Sequence, residues 1–224
     1  MVPGVTNSAA SGATSTLRVS EIFHSLQGES SRVGLPTVFV RLTGCPLRCT
    51  WCDTAYAFSG GEALSISAIL ERVAACACPT VCVTGGEPLA QPGCLDLLTA
   101  LCEAGYSVSL ETSGALDIGN VDARVSRIVD LKAPDSGESE KNRWANLDLL
   151  RPADELKCVL ASRADYDWAK SALAGRQIIC PVLFSPVWDT LPPAQLAQWI
   201  LEDRLPVRFQ LQMHKVLWGQ ARGR

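Results

Sequence analysis

The chain has 224 residues, of which 47% are hydrophobic and 19% charged, and its formal net charge at pH 7 is -3. This length and apolar content predict one soluble globular domain with a sizeable core, and they exclude a largely disordered chain. The slightly acidic balance provides no basic surface for tracking phosphates. We therefore expect no nucleic-acid partner and favour a small-molecule substrate.

The ten cysteines are interpreted as free or metal-binding thiols of a cytoplasmic protein. Disulfide scaffolds are typically shorter and secreted, and the first residues lack the basic start and apolar run of a signal peptide. Residues 1–16 are rich in Ser, Ala, Gly and Thr, which predicts a flexible leader before a single domain at 17–224. No apolar run approaches the length of a membrane-spanning helix, so no membrane partner is expected.

Predicted strands and helices alternate along most of this domain. Hydrophobic patterning predicts strands at residues 18–23, 37–42, 81–83, 106–111, 127–131, 155–160, 177–182 and 207–211. Helical spacing predicts helices at residues 65–75, 93–104, 165–173 and 194–201. Residues 134–146 are predicted to be an exposed loop or a short irregular segment that could act as a lid. This alternation favours a mainly parallel sheet with helical crossovers, either open or curved into a barrel.

Three cysteines directly after the second predicted strand are the strongest chemical signal. Cys45, Cys49 and Cys52 have a C-x3-C-x2-C spacing that can bring three thiolates to one inorganic centre. A fully protein-bound iron–sulfur cluster normally takes four cysteines, and the next one is only at Cys76. One iron is therefore left open for a small chelating molecule. The spacing, with an aromatic residue before the last cysteine, resembles the radical S-adenosylmethionine (SAM) enzymes, in which SAM fills that position.

Other interpretations of the three cysteines stay open in the sequence alone. His24 or His214 could complete a zinc site, although structural zinc usually takes two short-spaced ligand pairs from two separate loops. The last two cysteines could form a redox pair, but no thioredoxin-like pattern surrounds them. A second cluster is disfavoured because one of its three candidate ligands falls in a predicted strand. Those candidates are Cys76, Cys78 and Cys82.

A second motif, Thr84-Gly85-Gly86-Glu87-Pro88, follows the strand predicted at 81–83. Paired glycines let the backbone approach a ligand closely, and the Glu87 carboxylate can accept hydrogen bonds from an ammonium group. Alone, the segment could equally be a tight turn. After the three cysteines, it resembles the radical SAM segment that contacts the methionyl part of SAM. Thr112-Ser113-Gly114 also follows a predicted strand, so we expect all three segments at one site.

Further segments resemble one radical SAM family, 7-carboxy-7-deazaguanine synthase, which serves queuosine biosynthesis. In family order they are residues 25–30, Arg41, residues 52–54 and residues 211–215, and the resemblance runs from about Val19 to Trp218. It implies an α/β fold of radical SAM type, namely a single-domain partial (β/α) barrel of mainly parallel strands. Substrate-binding segments would then lie near both ends of the domain.

The resemblance also implies a carbon–nitrogen lyase in a tRNA modification pathway. In the family, a reduced 4Fe-4S cluster splits SAM, and the 5'-deoxyadenosyl radical removes hydrogen from C6 of 6-carboxy-5,6,7,8-tetrahydropterin. The ring contracts, ammonia leaves, 7-carboxy-7-deazaguanine forms and SAM is regenerated. The other implied partners are Mg2+, an electron donor such as flavodoxin, and a second copy of the chain in a homodimer.

The family's site residues carry over by position. Arg41 would hold the substrate carboxylate, as suits a guanidinium, and Thr54 beside Asp53 would bind Mg2+. The expected substrate contacts are Leu26, Gln27, Gly28, Glu29, Arg41, Thr84, His214 and Lys215. The expected SAM contacts are Trp51, Cys52, Asp53, Gly86, Glu87, Ser113 and Lys132.

Two other functions are compatible with part of these motifs. An enzyme that activates a glycyl-radical enzyme would share the cysteines and the Gly-Gly-Glu-Pro segment. It would have no use for Gln27-Gly28-Glu29 or Arg41. A non-catalytic binding module stabilised by zinc or a cluster would account for the cysteines alone.

Overall fold

Nine strands form one continuous sheet in the computed structural model, which describes residues 16–224. The strands are β1 (Thr16–Leu26), β2 (Pro36–Leu42), β3 (Glu62–Ser65), β4 (Thr80–Gly85), β5 (Ser107–Thr112), β6 (Ser126–Asp130), β7 (Glu155–Leu160), β8 (Val182–Pro186) and β9 (Arg208–Phe209). Their order across the sheet is β3-β1-β2-β4-β5-β6-β7-β8-β9. Neighbours from β2 to β9 are parallel, whereas β1 pairs antiparallel with β2 and β3. The sheet stays open between β3 and β9, which confirms the partial barrel.

Five α-helices connect or follow these strands. They are α1 (Ile66–Ala75), α2 (Cys94–Glu103), α3 (Arg163–Leu173), α4 (Pro193–Asp203) and α5 (Met213–Trp218). Ser65 starts α1 by accepting a hydrogen bond from the Ala68 backbone N–H, and Gly105 follows α2 with a φ of 86°. No helix among residues 16–224 is long and apolar enough to cross a bilayer.

Strand alternation divides the sheet into an apolar outer face and a polar inner face. On β2, Val38, Val40 and Leu42 join the core formed with the helices, while Phe39 and Arg41 point to the opposite face. The same alternation runs through β4 and β5, so the inner face collects polar side chains at the carboxyl ends of the strands. The fold thereby builds one polar cavity without opening the core.

Two strands differ from their predicted positions. The strand predicted at 177–182 begins only at Val182, because Pro181 has no N–H to donate and contributes only its carbonyl, which accepts from the Leu156 N–H at 3.0 Å. The apolar residues Ile178 and Ile179 were the reason for predicting an earlier start, yet Ile179 is 53% exposed and belongs to no strand. The strand predicted at 207–211 shortens to β9. The sequence patterns predicted neither the short edge strand β3 nor α5.

Residues 134–146 form a mostly exposed segment of short turns, in agreement with the prediction, but the segment is not a free loop. The segment contains three short 3-10 helices, Pro134–Ser136, Ser139–Lys141 and Trp144–Leu149. Asn146 is buried, and its side-chain amide donates to the Gly114 and Leu116 carbonyls at 3.0 and 2.8 Å. These bonds fix the segment to the strand ends, so it is not a loose lid. The leader predicted at 1–16 lies outside the described residues, except that Thr16 begins β1.

Candidate active site

The carboxyl ends of the parallel strands surround a cavity of about 490 Å³. Every residue expected to contact the cluster, Mg2+, SAM or the substrate lines this cavity, except Leu26 and Glu87. The fold brings these residues together because β2, β4, β5 and β6 all end at the same edge of the sheet. His24, a candidate zinc ligand, is exposed and does not line the cavity.

The three cysteines of the loop after β2 are free, half-buried and on the cavity wall. The loop is held at several points: the Gly44 N–H donates to the Ala57 carbonyl at 2.8 Å, and the Leu47 N–H donates to the Cys45 sulfur at 3.4 Å. Among residues 16–224, no group of three or more His, Cys, Asp or Glu side chains is arranged to hold a single metal ion. Three free thiols around a cavity that admits a small molecule fit a cluster with one open iron.

Two glycines at the end of β4 allow the cysteine loop after β2 to pack closely against the sheet. A Cβ atom at Gly85 would lie 2.3 Å from the Leu42 carbonyl oxygen, and one at Gly86 would lie 2.3 Å from the Gly44 carbonyl oxygen. The next backbone N–H, that of Glu87, donates to the same Gly44 carbonyl at 2.7 Å. The glycines are therefore required by the packing of the cluster loop as well as by a ligand.

Glu87 differs from its expected place as a direct SAM contact. Its carboxylate is completely buried and accepts hydrogen bonds from the Thr112 hydroxyl at 2.9 Å and the Ser113 N–H at 2.7 Å. It also accepts from the Ser113 hydroxyl and from the Leu89 N–H. These bonds engage both carboxylate oxygens within the protein. Glu87 thus fixes the turn after β5. Thr112 and Ser113 line the cavity, whereas Glu87 does not.

Replacing Gly86 with Ala tests this packing. The added methyl group overlaps backbone that cannot move without displacing Cys45, so we expect lower cluster occupancy and at least about a tenfold loss of SAM affinity. Iron content after anaerobic reconstitution and equilibrium binding of SAM measure both effects. Gly119→Ala is the control, since its nearest neighbour would be the flexible Asp117 side chain at 3.0 Å. A Gly86→Ala protein with full iron content and unchanged SAM affinity would contradict this account.

A carboxylate that the sequence patterns missed also lines the cavity. Glu111, near the end of β5, accepts hydrogen bonds from the Gln27 side-chain amide and the Thr84 hydroxyl, each at 3.1 Å. Gln27 in turn accepts from the Glu29 N–H at 3.2 Å. A signal was present in the sequence: Glu111 directly precedes Thr112-Ser113-Gly114 at the end of a strand that alternates polar and apolar residues. The result is a small polar surface with both donors and acceptors.

Beside it, four charged side chains from the loop after β1, from β6 and the residues after it, and from β7 form a chain of ion pairs of alternating sign. The Lys157 ammonium lies 2.6 Å from the Glu29 carboxylate and 3.3 Å from that of Asp130, which also pairs with Lys132 at 2.5 Å. Burial alone lowers the pKa of Lys157, but Asp130 and Glu29 outweigh it and raise this pKa well above its usual value. Lys157 and Asp130 were missed because each lies within an ordinary buried strand in the sequence.

The C-terminal segment closes one side of the cavity. The Met213 N–H donates to the Gly28 carbonyl at 2.9 Å, and His214 packs so closely that a Cβ at Gly28 would lie 2.3 Å from its Nδ1. The Lys215 ammonium pairs with Asp53 at 2.8 Å, and the Thr54 hydroxyl donates to the same carboxylate at 2.8 Å. Burial alone raises the pKa of Asp53, but Lys215 lowers it below its usual value. This segment therefore connects the loop after β1 to the cysteine loop after β2.

Comparison with known proteins identifies the family. The model of the Radical SAM superfamily matches residues 39–163. A 7-carboxy-7-deazaguanine synthase from Chlorobaculum tepidum is 52% identical over 213 residues, covering 92% of this chain and 97% of the relative. The chain belongs to the 7-carboxy-7-deazaguanine synthase family. Another such synthase, from Koribacter versatilis, is 42% identical over 219 residues, covering 90% of this chain and 97% of the relative.

Solved structures support the fold of this 7-carboxy-7-deazaguanine synthase family member. QueE from Escherichia coli superimposes with a TM-score of 0.74 at 23% identity, covering 89% of this chain and 95% of that chain. The family resemblance and the radical SAM fold expected from the sequence are confirmed. Membership of the superfamily implies a 4Fe-4S cluster and SAM as cofactors, and the cysteine loop has the donor set for the cluster.

Proposed function

We propose that this chain converts 6-carboxy-5,6,7,8-tetrahydropterin into 7-carboxy-7-deazaguanine and ammonia. It is a radical SAM enzyme of 7-deazapurine biosynthesis, as its family establishes. The substrate is supported most directly by one observation: Glu111 and Gln27 face the same cavity as the Arg41 guanidinium and the three cysteines. A bicyclic ring with an amide edge and a carboxylate matches these groups, and the two compounds differ by one molecule of ammonia.

Cys45, Cys49 and Cys52 would hold the cluster, and the cluster and SAM together supply hydrogen-abstraction chemistry when bound. The chain itself orients the ligands. The remaining proposed SAM contacts are Trp51, Asp53, Gly86, Ser113 and Lys132, which all line the cavity. Lys132 suits the SAM carboxylate, although its ammonium also pairs with Asp130 at 2.5 Å. For Glu87 we propose an indirect role through the Ser113 turn.

The polar wall suits the pyrimidinone edge of a pterin. Carboxylates such as Glu111 and Glu29 accept hydrogen bonds from ring N–H and exocyclic amino groups, while the Gln27 amide can both donate and accept. Thr84 fixes one Glu111 oxygen at 3.1 Å. Arg41 would bind the substrate carboxylate through parallel hydrogen bonds. His214 and Lys215 would cover the bound ring, together with Leu26-Gln27-Gly28, and limit the access of water.

We propose that Mg2+ binds at Thr54. The Thr54 hydroxyl lies on the cavity wall beside the Asp53 carboxylate. Because Asp53 already pairs with Lys215, few protein oxygens are available there. Magnesium commonly keeps several waters and uses substrate oxygens to complete its six positions, so this sparse set is compatible with it.

We also propose that the chain acts as a cytoplasmic homodimer that receives electrons from a small redox protein such as flavodoxin. The domain would extend over residues 17–224 and combine the radical SAM fold with both substrate-binding segments. These proposals come from the family. Light scattering of the purified protein would test the dimer, and turnover with reduced flavodoxin would test the donor.

One assay tests the reaction. Anaerobically reconstituted protein is incubated with SAM, a chemical reductant, Mg2+ and 6-carboxy-5,6,7,8-tetrahydropterin, and the products are identified by mass. We expect 7-carboxy-7-deazaguanine and ammonia in equal amounts. Cleavage of SAM without this product would leave a radical SAM enzyme and refute the substrate. A parallel incubation without Mg2+ tests the metal, since we expect slower turnover there.

The comparisons do not favour the two alternative functions. The relatives that cover most of this chain are named as synthases of a small molecule, which gives no support to an enzyme that activates a glycyl-radical protein. A non-catalytic module would have no need for the charged and hydrogen-bonded side chains that line the cavity beside the cysteine loop.

A further inference from the structure

The Arg41 side chain is hydrogen-bonded to Glu21, a residue that does not line the cavity. Glu21 on β1 lies directly opposite Arg41 on β2 in the antiparallel register. Its carboxylate accepts a hydrogen bond from the Arg41 Nε at 2.7 Å, and the two side chains are only 21% and 16% exposed. Within residues 16–224 this is the single hydrogen bond that the Arg41 guanidinium makes. Its two terminal amino groups therefore stay available to a ligand in the cavity.

Tyr56 completes this support from the other side. Its hydroxyl donates to the same Glu21 oxygen at 2.7 Å, and its ring centre lies 6.0 Å from the Arg41 guanidinium carbon. Burial and the hydrogen bond to Glu21 raise the pKa of Tyr56 to about 12, so the hydroxyl remains a donor near neutral pH. The Phe23 ring lies 5.8 Å from the same carbon. One carboxylate oxygen and two rings thus fix the guanidinium.

We propose that Glu21 is a positioning residue which, with Tyr56, aims the free edge of Arg41 at a substrate carboxylate and so sets the preference for carboxylated pterins. Neither Glu21 nor Tyr56 lines the cavity, so each acts only through Arg41. This inference rests on the proposed function, because it takes a carboxylated ring as the ligand.

The physical reason is preorganisation. A free arginine side chain has many rotamers, and ordering it on binding costs free energy that reduces affinity. Glu21 fixes the side chain through Nε, and the pair of terminal amino groups then forms the fork that matches two carboxylate oxygens. Without Glu21 the guanidinium can reorient, and a buried donor loses its partner.

Substitution of Glu21 by Ala, with two ligands compared, tests the proposal. For the carboxylated tetrahydropterin we expect KM and Kd to rise about 10-fold to 100-fold, with kcat at saturation changed by less than about threefold. For a tetrahydropterin without the C6 carboxylate, Kd should change by less than about twofold. In an Arg41→Ala background the same Glu21→Ala change should have no further effect on either ligand. Tyr56→Phe, which removes one hydroxyl, should raise KM about 2-fold to 5-fold.

Glu62→Ala is the matched control, since Glu62 pairs with Arg72 at 2.9 Å on the surface. The positioning role is overturned if Glu21→Ala weakens both pterins equally, leaves the carboxylated one unchanged, or still acts without Arg41. It is also overturned if the unmodified protein shows no preference for the carboxylated pterin in direct binding. Failure of the proposed reaction shows itself separately, as absence of product from the unmodified protein. Iron content and circular dichroism verify that each variant folds.

Discussion

A Cys49→Ala protein is expected to lose both its cluster and all formation of 7-carboxy-7-deazaguanine. Among residues 16–224 only three cysteines face the cavity, so this part of the chain offers no spare thiolate on the cavity wall to replace the lost ligand. A cluster with two protein ligands is not retained, and without it the reduction of SAM has no electron path. Iron and sulfide content, charge-transfer absorbance and product mass after anaerobic reconstitution measure the loss.

Cys102→Ala is the matched control for this variant. Cys102 is a half-buried cysteine on α2 that packs against the core and does not line the cavity. We expect the control to keep its cluster and its activity, because a free cysteine in such a place behaves as a small hydrophobe. Product from a reconstituted Cys49→Ala protein would overturn the assignment of the loop.

Lys157→Met is expected to have the second-largest effect. The substitution leaves the Glu29 and Asp130 carboxylates without their shared cation in a buried site. Removing one partner of a buried ion pair typically lowers the free energy of unfolding by about 3–5 kcal/mol. We also expect at least about a 100-fold loss of kcat/KM, since Glu29, a proposed substrate contact, loses the ion pair that helps to fix its position. Denaturant unfolding and steady-state kinetics measure the two effects.

Lys170→Met is the control, because Lys170 pairs with Asp203 at 2.8 Å near the surface and such pairs contribute less than about 1 kcal/mol. Lys157→Arg retains the charge and should recover part of the stability. If Lys157→Met unfolds at the same denaturant concentration as the unmodified protein, the network does not stabilise the fold. Unchanged kinetics would remove its role in placing Glu29.

The difference in stability between the unmodified and Lys157→Met proteins should depend on pH, because the pKa values of Glu29 and Lys157 are both shifted in the folded state. Lys157 and His214 lower the pKa of Glu29 below its usual 4.5 against the opposing effect of burial, so this contribution is lost as the pH falls through the folded-state value. The raised pKa of Lys157 means that its contribution is complete below its usual 10.5 and is lost as the pH rises further. The stability gap between the two proteins should therefore be largest between pH 4.5 and pH 10.5.

Much of the site was accessible from local sequence. The spacing of Cys45, Cys49 and Cys52 indicates a cluster site, because ligands on one loop require a fixed separation along the chain. The position of Gly86 after a predicted strand indicates a ligand-binding turn. Asp130 and Lys157 gave no such signal, and Glu111 gave only its place before Thr112-Ser113-Gly114. Each of the three lies on a different strand, and their proximity depends on the order in which the strands lie in the sheet. The buried role of Glu87 was likewise invisible, since its partners are 25 and 26 residues away.

The alternation of strands and helices, the cluster loop and the family could be predicted from the amino-acid sequence, because these depend on periodicity and on residues close together in the chain. The start of β8 emerged only from the three-dimensional fold, since the pairing with β7 sets that limit. The fold alone joins Glu21 to Arg41 and Asp53 to Lys215. Such pairs form when distant segments are brought together, and their charges become strong determinants of position only once burial removes the water around them.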